Sequence, residues 1–363
     1  MPRPSRGWRA AAAAGAVAVL LAACSSGDGG SGGSGGPGDR PYTIGLSNGF
    51  VGSEWRTQMV EGLEAAFAEY QKEGVVDELV VESADTDVNG QIQQIRNLIN
   101  RDVDAIIVNP NSETALDAVF REATQQGVKV FAIDQAVTSK DVTNVVIDQA
   151  EWARTSAEWL AEKVGRGGDI VVVNGIAGHP ANDMRWNAAK EVFTKAGVNV
   201  LTVADGNWDQ ATGQQVMTNL LATYPDIDGV WTQDGMAEGV FRAVQAAGRL
   251  DRITISGEAR VGFMRLWNEA RADGFESIGV VNPPGGAVSA LHMAVNVLDG
   301  RKLATATAAT ATAGGNGNTV HIPIPFTVDE TTFDQHWGKV SGESAAYSLD
   351  GSLTRAKAAE FFE

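Results

Sequence analysis

Short apolar runs alternate with amphipathic stretches from residue 41 onward. Runs such as Ala105–Val108 and Val130–Ile133 are short and continuously apolar, which predicts buried strands. Between them, stretches such as Glu54–Lys72 repeat their apolar residues every three or four positions, as one face of a helix does. Strands that alternate with helices predict parallel βαβ units, and the rhythm restarts with a helix over Trp152–Val164. We therefore predict an α/β fold of two doubly wound, Rossmann-like lobes joined by a hinge that the chain crosses several times.

The restart of the pattern divides the chain into lobes. At 363 residues, the chain is too long for one hydrophobic core. We predict a first lobe formed by residues 41–147 plus 282–312. The second lobe is predicted to contain residues 148–281 plus 313–363, although the pattern determines the tail after residue 303 poorly.

The first 40 residues have a different composition. A basic start and an apolar run over residues 10–23 predict a signal peptide over residues 1–23, because that run is too short to span a bilayer. The sequence Leu-Ala-Ala-Cys at 21–24 resembles a bacterial lipobox, which implies cleavage before Cys24 and its lipidation. The alternative is an ordinary signal peptide with a chance cysteine. Residues 24–40 are then the lipidated cysteine and a flexible Gly/Ser tether.

Charge and cysteine content exclude several classes of function. The net charge of −17 argues against nucleic acid or anionic lipid as a partner, since both select basic surfaces. A single cysteine excludes an internal disulfide and a cysteine-based metal site. The four histidines have no metal-ligand spacing, and neither a P-loop nor a G-x-S-x-G nucleophile motif occurs. We expect no cofactor, no metal and no catalytic residue.

Six stretches occur in a characteristic order and spacing, namely YTIGLSNGFVGSEWRTQMVEG, DVDAIIVNP, GVKVFAIDQAV, GDIVVVNGIAGHPANDMRWNA, GNWDQATGQQVMTNLLATYPDIDGVW and ISGE. Together they resemble the ribose/galactose-type periplasmic sugar-binding proteins. These proteins are the solute-binding subunits of ABC transporters, with the type I periplasmic-binding-protein fold. The resemblance implies two lobes that close on a sugar.

The resemblance also implies roles for residues of the first lobe. An aromatic residue that stacks on the sugar begins the family's first helix, and Trp55 lies there with Arg56 beside it. The family's fourth strand ends in Asp, usually followed by Arg. Here the pair is Asp134-Gln135, which removes a cation and changes the expected sugar preference.

Further roles are implied for the second lobe and the hinge. Arg185 matches an arginine early in a helix, and Trp208 matches an aromatic residue that precedes an Asp. The pair Gln233-Asp234, which comes one residue earlier than in the family's pattern, stands for the family's Asn-Asp, and Glu258 replaces an Asp. Asn282 matches a polar residue of the last hinge strand.

The residue types alone fit a sugar site. A sugar has an apolar face, which Trp55 and Trp208 can stack on, and a rim of hydroxyl groups. Three carboxylates can accept hydrogen bonds from these hydroxyls, and Arg185 can donate. The carboxylates are Asp134, Asp234 and Glu258, each of which follows a predicted strand. Each residue also has a structural alternative, such as capping a helix, bonding loop amides or packing on a surface.

These observations predict a monomeric, exported, lipid-anchored solute receptor that delivers a monosaccharide or polyol to an ABC permease. One alternative is a signalling receptor of the same fold. Another is an exported glycoside-processing enzyme, with Asp134 and Glu258 as its carboxyl pair. The break of the βα sequence into two lobes, instead of the eight units of a barrel, argues against the enzyme.

Overall fold

The computed structural model describes residues 40–304 and 318–363. The predicted signal peptide, Cys24 and nearly all of the predicted tether lie outside the described residues. The first run of elements is β1 (Tyr42–Asn48), α1 (Glu54–Lys72), β2 (Val76–Ser83), α2 (Val88–Asn100), β3 (Ala105–Asn109), α3 (Asp117–Gln125), β4 (Lys129–Ile133) and β5 (Val142–Val146). This run contains three βαβ units, as the alternating pattern predicts.

A second run of the same kind follows. It contains α4 (Gln149–Val164), β6 (Asp169–Asn174), α5 (Pro180–Ala196), β7 (Asn199–Asp205), α6 (Gln210–Thr223), β8 (Gly229–Thr232), α7 (Ala237–Ala246), β9 (Thr254–Ser256), α8 (Val261–Ala270), a 3₁₀ turn (Arg271–Asp273) and β10 (Ser277–Val280). The remaining elements are α9 (Gly286–Leu298), β11 (Thr319–His321), β12 (Thr327–Val328), α10 (Phe333–Val340) and α11 (Arg355–Ala359).

The strands form two six-stranded sheets. The first sheet has the order β11-β5-β4-β3-β1-β2 and is parallel throughout. The second has the order β12-β10-β9-β8-β6-β7, in which only the pairing of β12 with β10 is antiparallel. In both sheets the strand order reverses beside the first strand of the lobe. The predicted fold class, two α/β lobes with parallel sheets, is confirmed.

Burial explains why the central strands read as continuous apolar runs. Every residue of β3 and of β8 is buried, since helices cover both faces of each sheet. Between the lobes, Asp148 caps α4 by accepting a hydrogen bond from the Glu151 amide at 2.9 Å. No helix in residues 40–304 and 318–363 is both long and apolar enough to cross a membrane.

The tail differs from the predicted assignment of residues 313–363 to the second lobe. β11 pairs with β5 at the edge of the first sheet, whereas β12 and α10 pack on the second lobe. The chain then returns, because α11 packs on α9 and Leu303 pairs with Phe362. Residues after 313 therefore contribute to both lobes. The reason is that the tail has too few apolar residues to form a core, so each piece covers a surface exposed by earlier elements.

Phe333 is one of several side chains of the tail that pack in the core of the second lobe. Phe333 is fully buried, with its ring centroid 4.7 Å from that of Trp267. We expect Phe333→Ala to lower the free energy of unfolding by about 3–5 kcal/mol, as other truncations of buried phenylalanines do. Urea unfolding of residues 41–363 measures this change.

The matched control is Asp334→Ala, which removes an exposed carboxylate paired with Arg271. Exposed ion pairs contribute little, so this variant should unfold almost as the native chain does. Equal midpoints for the Phe333 and Asp334 variants would contradict the proposed role of Phe333.

Candidate functional site

Polar and aromatic side chains from both lobes surround a space of about 400 Å³, part of it open to solvent. The carboxyl ends of the strands of both sheets face this space, because the residues around it follow β1, β4, β6, β7, β8, β9 and β10. Ligands bind at this edge in open parallel sheets. The lining residues are Phe50, Ser53, Trp55, Arg56, Asp134, Ala181, Arg185, Trp208, Asp234, Gly235, Arg260 and Asn282.

Arg185 is the most enclosed charge of this cleft, at 1% exposure. Its Nη1 lies 2.5 Å from Asp234 Oδ1, and its Nε donates to Gln149 Oε1 at 2.7 Å. The guanidinium carbon lies 4.1 Å from the centre of the Trp152 ring, a cation–π contact. A buried cation needs such partners, so these contacts hold Arg185 in one orientation.

Gln149 connects Arg185 to Asp134 of the first lobe. Its Nε2 donates to the Asp134 carbonyl at 2.7 Å and to Oδ1 at 3.2 Å. Asn282 Nδ2 lies between the two carboxylates, 3.5 Å from Asp134 Oδ1 and 3.3 Å from Asp234 Oδ2. Burial raises the pKa of Asp134, although the positive charges of Arg56 and Arg185 oppose that change. One network thus joins the carboxylates of both lobes.

Two residues at the start of α1 complete the wall on the first-lobe side. Trp55 is 7% exposed, and its Nε1 donates to the Asn282 carbonyl at 2.8 Å. Arg56 Nη1 donates to Asn48 Oδ1 at 2.7 Å, and burial lowers the pKa of Arg56 to about 10. Arg56 is therefore a buried cation whose hydrogen bond goes to a neutral amide, and it lines the space that a ligand would occupy.

Trp208 forms the aromatic wall of the second lobe in a strained conformation. Its φ is +52°, a region that bulky residues rarely adopt. Its Nε1 donates to Gln233 Oε1 at 3.0 Å, and the His179 ring meets it edge-on at 4.8 Å. Asp134 also has a positive φ, +68°. Strained residues concentrate at functional sites, so their presence here supports a binding role for this cleft.

Three of the predicted site residues lie behind the lining of this cleft. Gln135 is fully buried, and its Nε2 donates to Asn109 Oδ1 at 3.1 Å and to the Pro110 carbonyl. Gln233 is fully buried behind Trp208. Glu258 accepts hydrogen bonds from Gln210 Nε2 at 2.6 Å and from the Gly235 amide, and it borders a smaller adjoining space.

The other seven predicted residues line the cleft together, namely Trp55, Arg56, Asp134, Arg185, Trp208, Asp234 and Asn282. Contact of any of the ten with a ligand stays a prediction. Burial raises the pKa of Glu258, while the nearby Arg260 opposes this change. Among the described residues, no group of three or more His, Cys, Asp or Glu side chains is arranged to hold a metal ion.

Five residues that line the cleft were not predicted from the sequence, namely Phe50, Ser53, Ala181, Gly235 and Arg260. Arg260 lines the cleft at 5% exposure, and only its place two residues after Glu258 could have indicated it. Two buried residues of α4, Gln149 and Trp152, also belong to the site, because their side chains hold Arg185. No local pattern marks such contacts between distant residues.

The cleft contains both the hydrogen-bond acceptors and the hydrogen-bond donors that a hydroxyl group needs. Asp134 and Asp234 are acceptors, while Arg56, Arg185 and Asn282 are donors. A hydroxyl group both donates and accepts, so adjacent carboxylates and guanidinium groups satisfy it fully. Trp55 and Trp208 add flat apolar surface.

Comparison with known proteins relates this architecture to one family. The family described as "Periplasmic binding protein domain" matches residues 44–302. A solved structure of an ABC transporter solute binding protein from Thermobispora bispora is similar, with a TM-score of 0.77 and 26% identity. That likeness covers 88% of this chain and 94% of the other.

Two curated relatives have related descriptions. The ribose import binding protein of Bacillus subtilis is 28% identical over 212 residues, which are 58% of this chain and 68% of that protein. The xylitol-binding protein of Mycolicibacterium smegmatis is 32% identical over 201 residues, 54% of this chain and 56% of that protein. The matches thus span about half to two thirds of these relatives.

The position of Trp208 depends on the absence of a side chain at Gly175. A Cβ at Gly175 would lie inside van der Waals contact with the indole ring of Trp208. We expect Gly175→Ala to displace this ring and to leave the fold intact, because β6 ends at Asn174. Fluorine NMR of protein labelled with 5-fluorotryptophan should show a shifted Trp208 resonance and an unshifted Trp267 resonance.

Gly342→Ala is the matched control, because a Cβ at Gly342 would meet no atom within 4 Å apart from its two chain neighbours, and neither neighbour is a tryptophan. Its tryptophan spectrum should equal that of the native chain. An unshifted Trp208 resonance in the Gly175 variant would show that the ring position does not depend on this glycine.

Proposed function

The chain belongs to the periplasmic binding protein family, and from this premise we propose that it is an extracytoplasmic solute-binding protein of an ABC importer. We propose a monosaccharide or a related polyol as its ligand. The relatives of this chain are binding proteins of transport systems. The ribose and xylitol named for two of them support this class of ligand without selecting one compound.

One observation carries the proposal. The cleft places Asp134 of the first lobe and the Arg185–Asp234 pair of the second lobe around the same space, with a tryptophan from each side. A ring of hydroxyl groups can donate to the carboxylates and accept from the guanidinium groups at once. The apolar face of such a ligand would lie against indole.

Closure of the lobes is the proposed binding mechanism. A ligand that contacts Asp134 and Arg185 together binds the closed arrangement more tightly than an open one, because the open arrangement separates the two residues. Binding therefore shifts the population toward the closed form. The permease would then recognise the closed form. A signalling receptor would use the same binding step, and no contact in the described residues favours it over transport.

We propose that the protein binds its ligand without chemical conversion. In the glycosidase alternative, Glu258 would act as a proton donor or nucleophile. Both of its oxygens accept hydrogen bonds within the second lobe, from Gln210 and from the Gly235 amide. These contacts support a structural role for Glu258. We also propose that the protein is a monomer.

The proposed ligand class is tested by thermal-shift measurements on residues 41–363 with pentoses, hexoses, polyols, nucleosides and amino acids. A ligand at about 1,000 times its Kd adds about 4 kcal/mol to the stability. At roughly 2–4 °C per kcal/mol, this corresponds to a shift of several degrees or more. A shift with nucleosides or amino acids alone would overturn the sugar assignment.

For the ligand that gives the shift, Asp134→Ala and Arg185→Ala should each weaken binding by about 30-fold or more. Removing one partner of a buried charge pair costs about 2–5 kcal/mol, since the other charge stays buried. Titration calorimetry measures the affinity. Asp226→Ala is the control, because Asp226 is exposed at the opposite ends of the strands. Native affinity in both cleft variants would refute the site.

Lipid anchoring at Cys24 is a separate proposal, supported by the lipobox-like sequence and the Gly/Ser tether. In a bacterial host, the full-length chain should partition into the detergent phase of Triton X-114. Cys24→Ser should move it to the aqueous phase, because the substituted residue cannot form the thioether to the lipid. The neighbouring Ser25→Ala is the control and should leave partitioning unchanged. Detergent partitioning that survives Cys24→Ser would disprove the anchor.

A further inference from the structure

We infer that Arg260 is a further ligand-binding residue, whose Nε donates a hydrogen bond to an oxygen acceptor of the ligand when the lobes lie together. The inference rests on the proposed function and extends its site. It assigns a binding role to a residue that no sequence pattern indicated. The acceptor is a hydroxyl oxygen of the sugar or polyol, because an Nε–H group can only donate and a hydroxyl oxygen can accept.

Arg260 reaches from the second lobe to the first. It immediately precedes α8, lines the cleft and is 5% exposed. Its Nη1 lies 2.5 Å from Oε2 of Glu54, which begins α1 of the first lobe. This contact exists only while the two lobes are close together. Arg260 is thus oriented by closure, whereas Arg185 is held by Gln149 and Asp234.

The backbone beside Arg260 is held from both lobes as well. Arg260 forms a bridge with Ser348, and the Leu349 amide donates to the Ala259 carbonyl at 2.8 Å. Ser348 in turn pairs with the Gln58 side chain of α1. Gln58 Nε2 donates to the Ser348 carbonyl, and the Ser348 amide donates to Gln58 Oε1, both at 2.9 Å. These contacts limit the positions that the Arg260 side chain can take.

The Nε atom of Arg260 is the observation that indicates contact with a ligand. It is buried, and the described part of the chain offers it no hydrogen-bond partner. Glu258 Oε2 lies 3.7 Å away, beyond hydrogen-bond distance, and already accepts from the Gly235 amide. A buried donor without an acceptor is unfavourable, so an acceptor supplied by the ligand would relieve this cost on binding.

A purely structural role for Arg260 gives different expectations. If Arg260 only ties the lobes together through Glu54, breaking that ion pair from either side should weaken binding equally. If it also donates to the ligand, its replacement should cost more than the loss of Glu54. A water molecule in the smaller adjoining space could also accept the hydrogen bond from Nε. In that case too, replacing Arg260 should cost no more affinity than replacing Glu54.

The experiment compares four variants with the native chain, using the sugar or polyol found by the thermal-shift screen. Arg260→Gln removes the charge, and Arg260→Lys keeps a cation that can reach Glu54 but lacks the planar Nε–H group. Glu54→Gln breaks only the contact between the lobes, and the double variant combines Arg260→Gln with Glu54→Gln.

Calorimetry gives Kd, stopped-flow fluorescence gives the dissociation rate, and unliganded melting temperatures verify folding. Arg252→Gln, at an exposed site, is the control.

We expect Glu54→Gln to weaken binding by less than about fivefold, since its side chain is more than half exposed. Both Arg260 variants should weaken binding at least tenfold more than Glu54→Gln, mainly through faster dissociation. Monodeoxy analogues of the ligand identify the acceptor. The analogue that lacks the acceptor hydroxyl should bind the native chain more weakly than the parent ligand does. The same analogue should bind the Arg260→Lys variant as tightly as the parent ligand binds that variant.

The inference is overturned if both Arg260 variants, Glu54→Gln and the double variant all have the same Kd. It is also overturned if every monodeoxy analogue loses as much affinity in the Arg260→Lys variant as in the native chain. The proposed function would survive both results, because the native chain would still bind its sugar. Absence of any sugar or polyol shift in the native chain would instead remove the proposed function and this inference with it.

Discussion

The cleft depends on keeping one buried guanidinium group satisfied. Arg185 is almost completely enclosed, and a buried cation is tolerated only with a carboxylate, hydrogen-bond acceptors or an aromatic face beside it. Asp234, Gln149 and Trp152 provide all three. Because Gln149 also binds Asp134, the contacts that satisfy this charge extend to the carboxylate of the other lobe.

The same constraint explains why residues far apart in the chain are interdependent. Two charges of the cleft are oriented by uncharged neighbours, Arg56 by Asn48 and Asp134 by Gln149. Such contacts leave donors and acceptors directed at the central space, where a hydroxylated ligand can replace water. The positive φ of Trp208 adds to this picture, since the backbone adopts an unfavourable conformation to place the indole ring at the cleft.

Several of these features were predictable from the sequence, and others were not. The apolar runs of β3 and β4 and the helical period of α1 predict their elements closely, because burial on both faces of a sheet leaves a strong pattern. Gln135 shows the limit of such reasoning. It follows a strand end beside Asp134, yet its side chain turns inward to Asn109, and nothing in the local sequence distinguishes the two directions. The apolar residues of the tail likewise have no regular spacing, so the division of the tail between the lobes could not be predicted.

By itself, the sequence determined the α/β class, the two successive lobes and the strand ends at which polar residues gather. These depend on local periodicity and on the shared direction of parallel strands. Only the tertiary structure decided that Arg260 enters the cleft, that Gln149 joins two charges and that the tail returns to the first lobe. Those contacts join residues up to hundreds of positions apart. They arise from the packing of whole elements, and packing has no signature within a short stretch of chain.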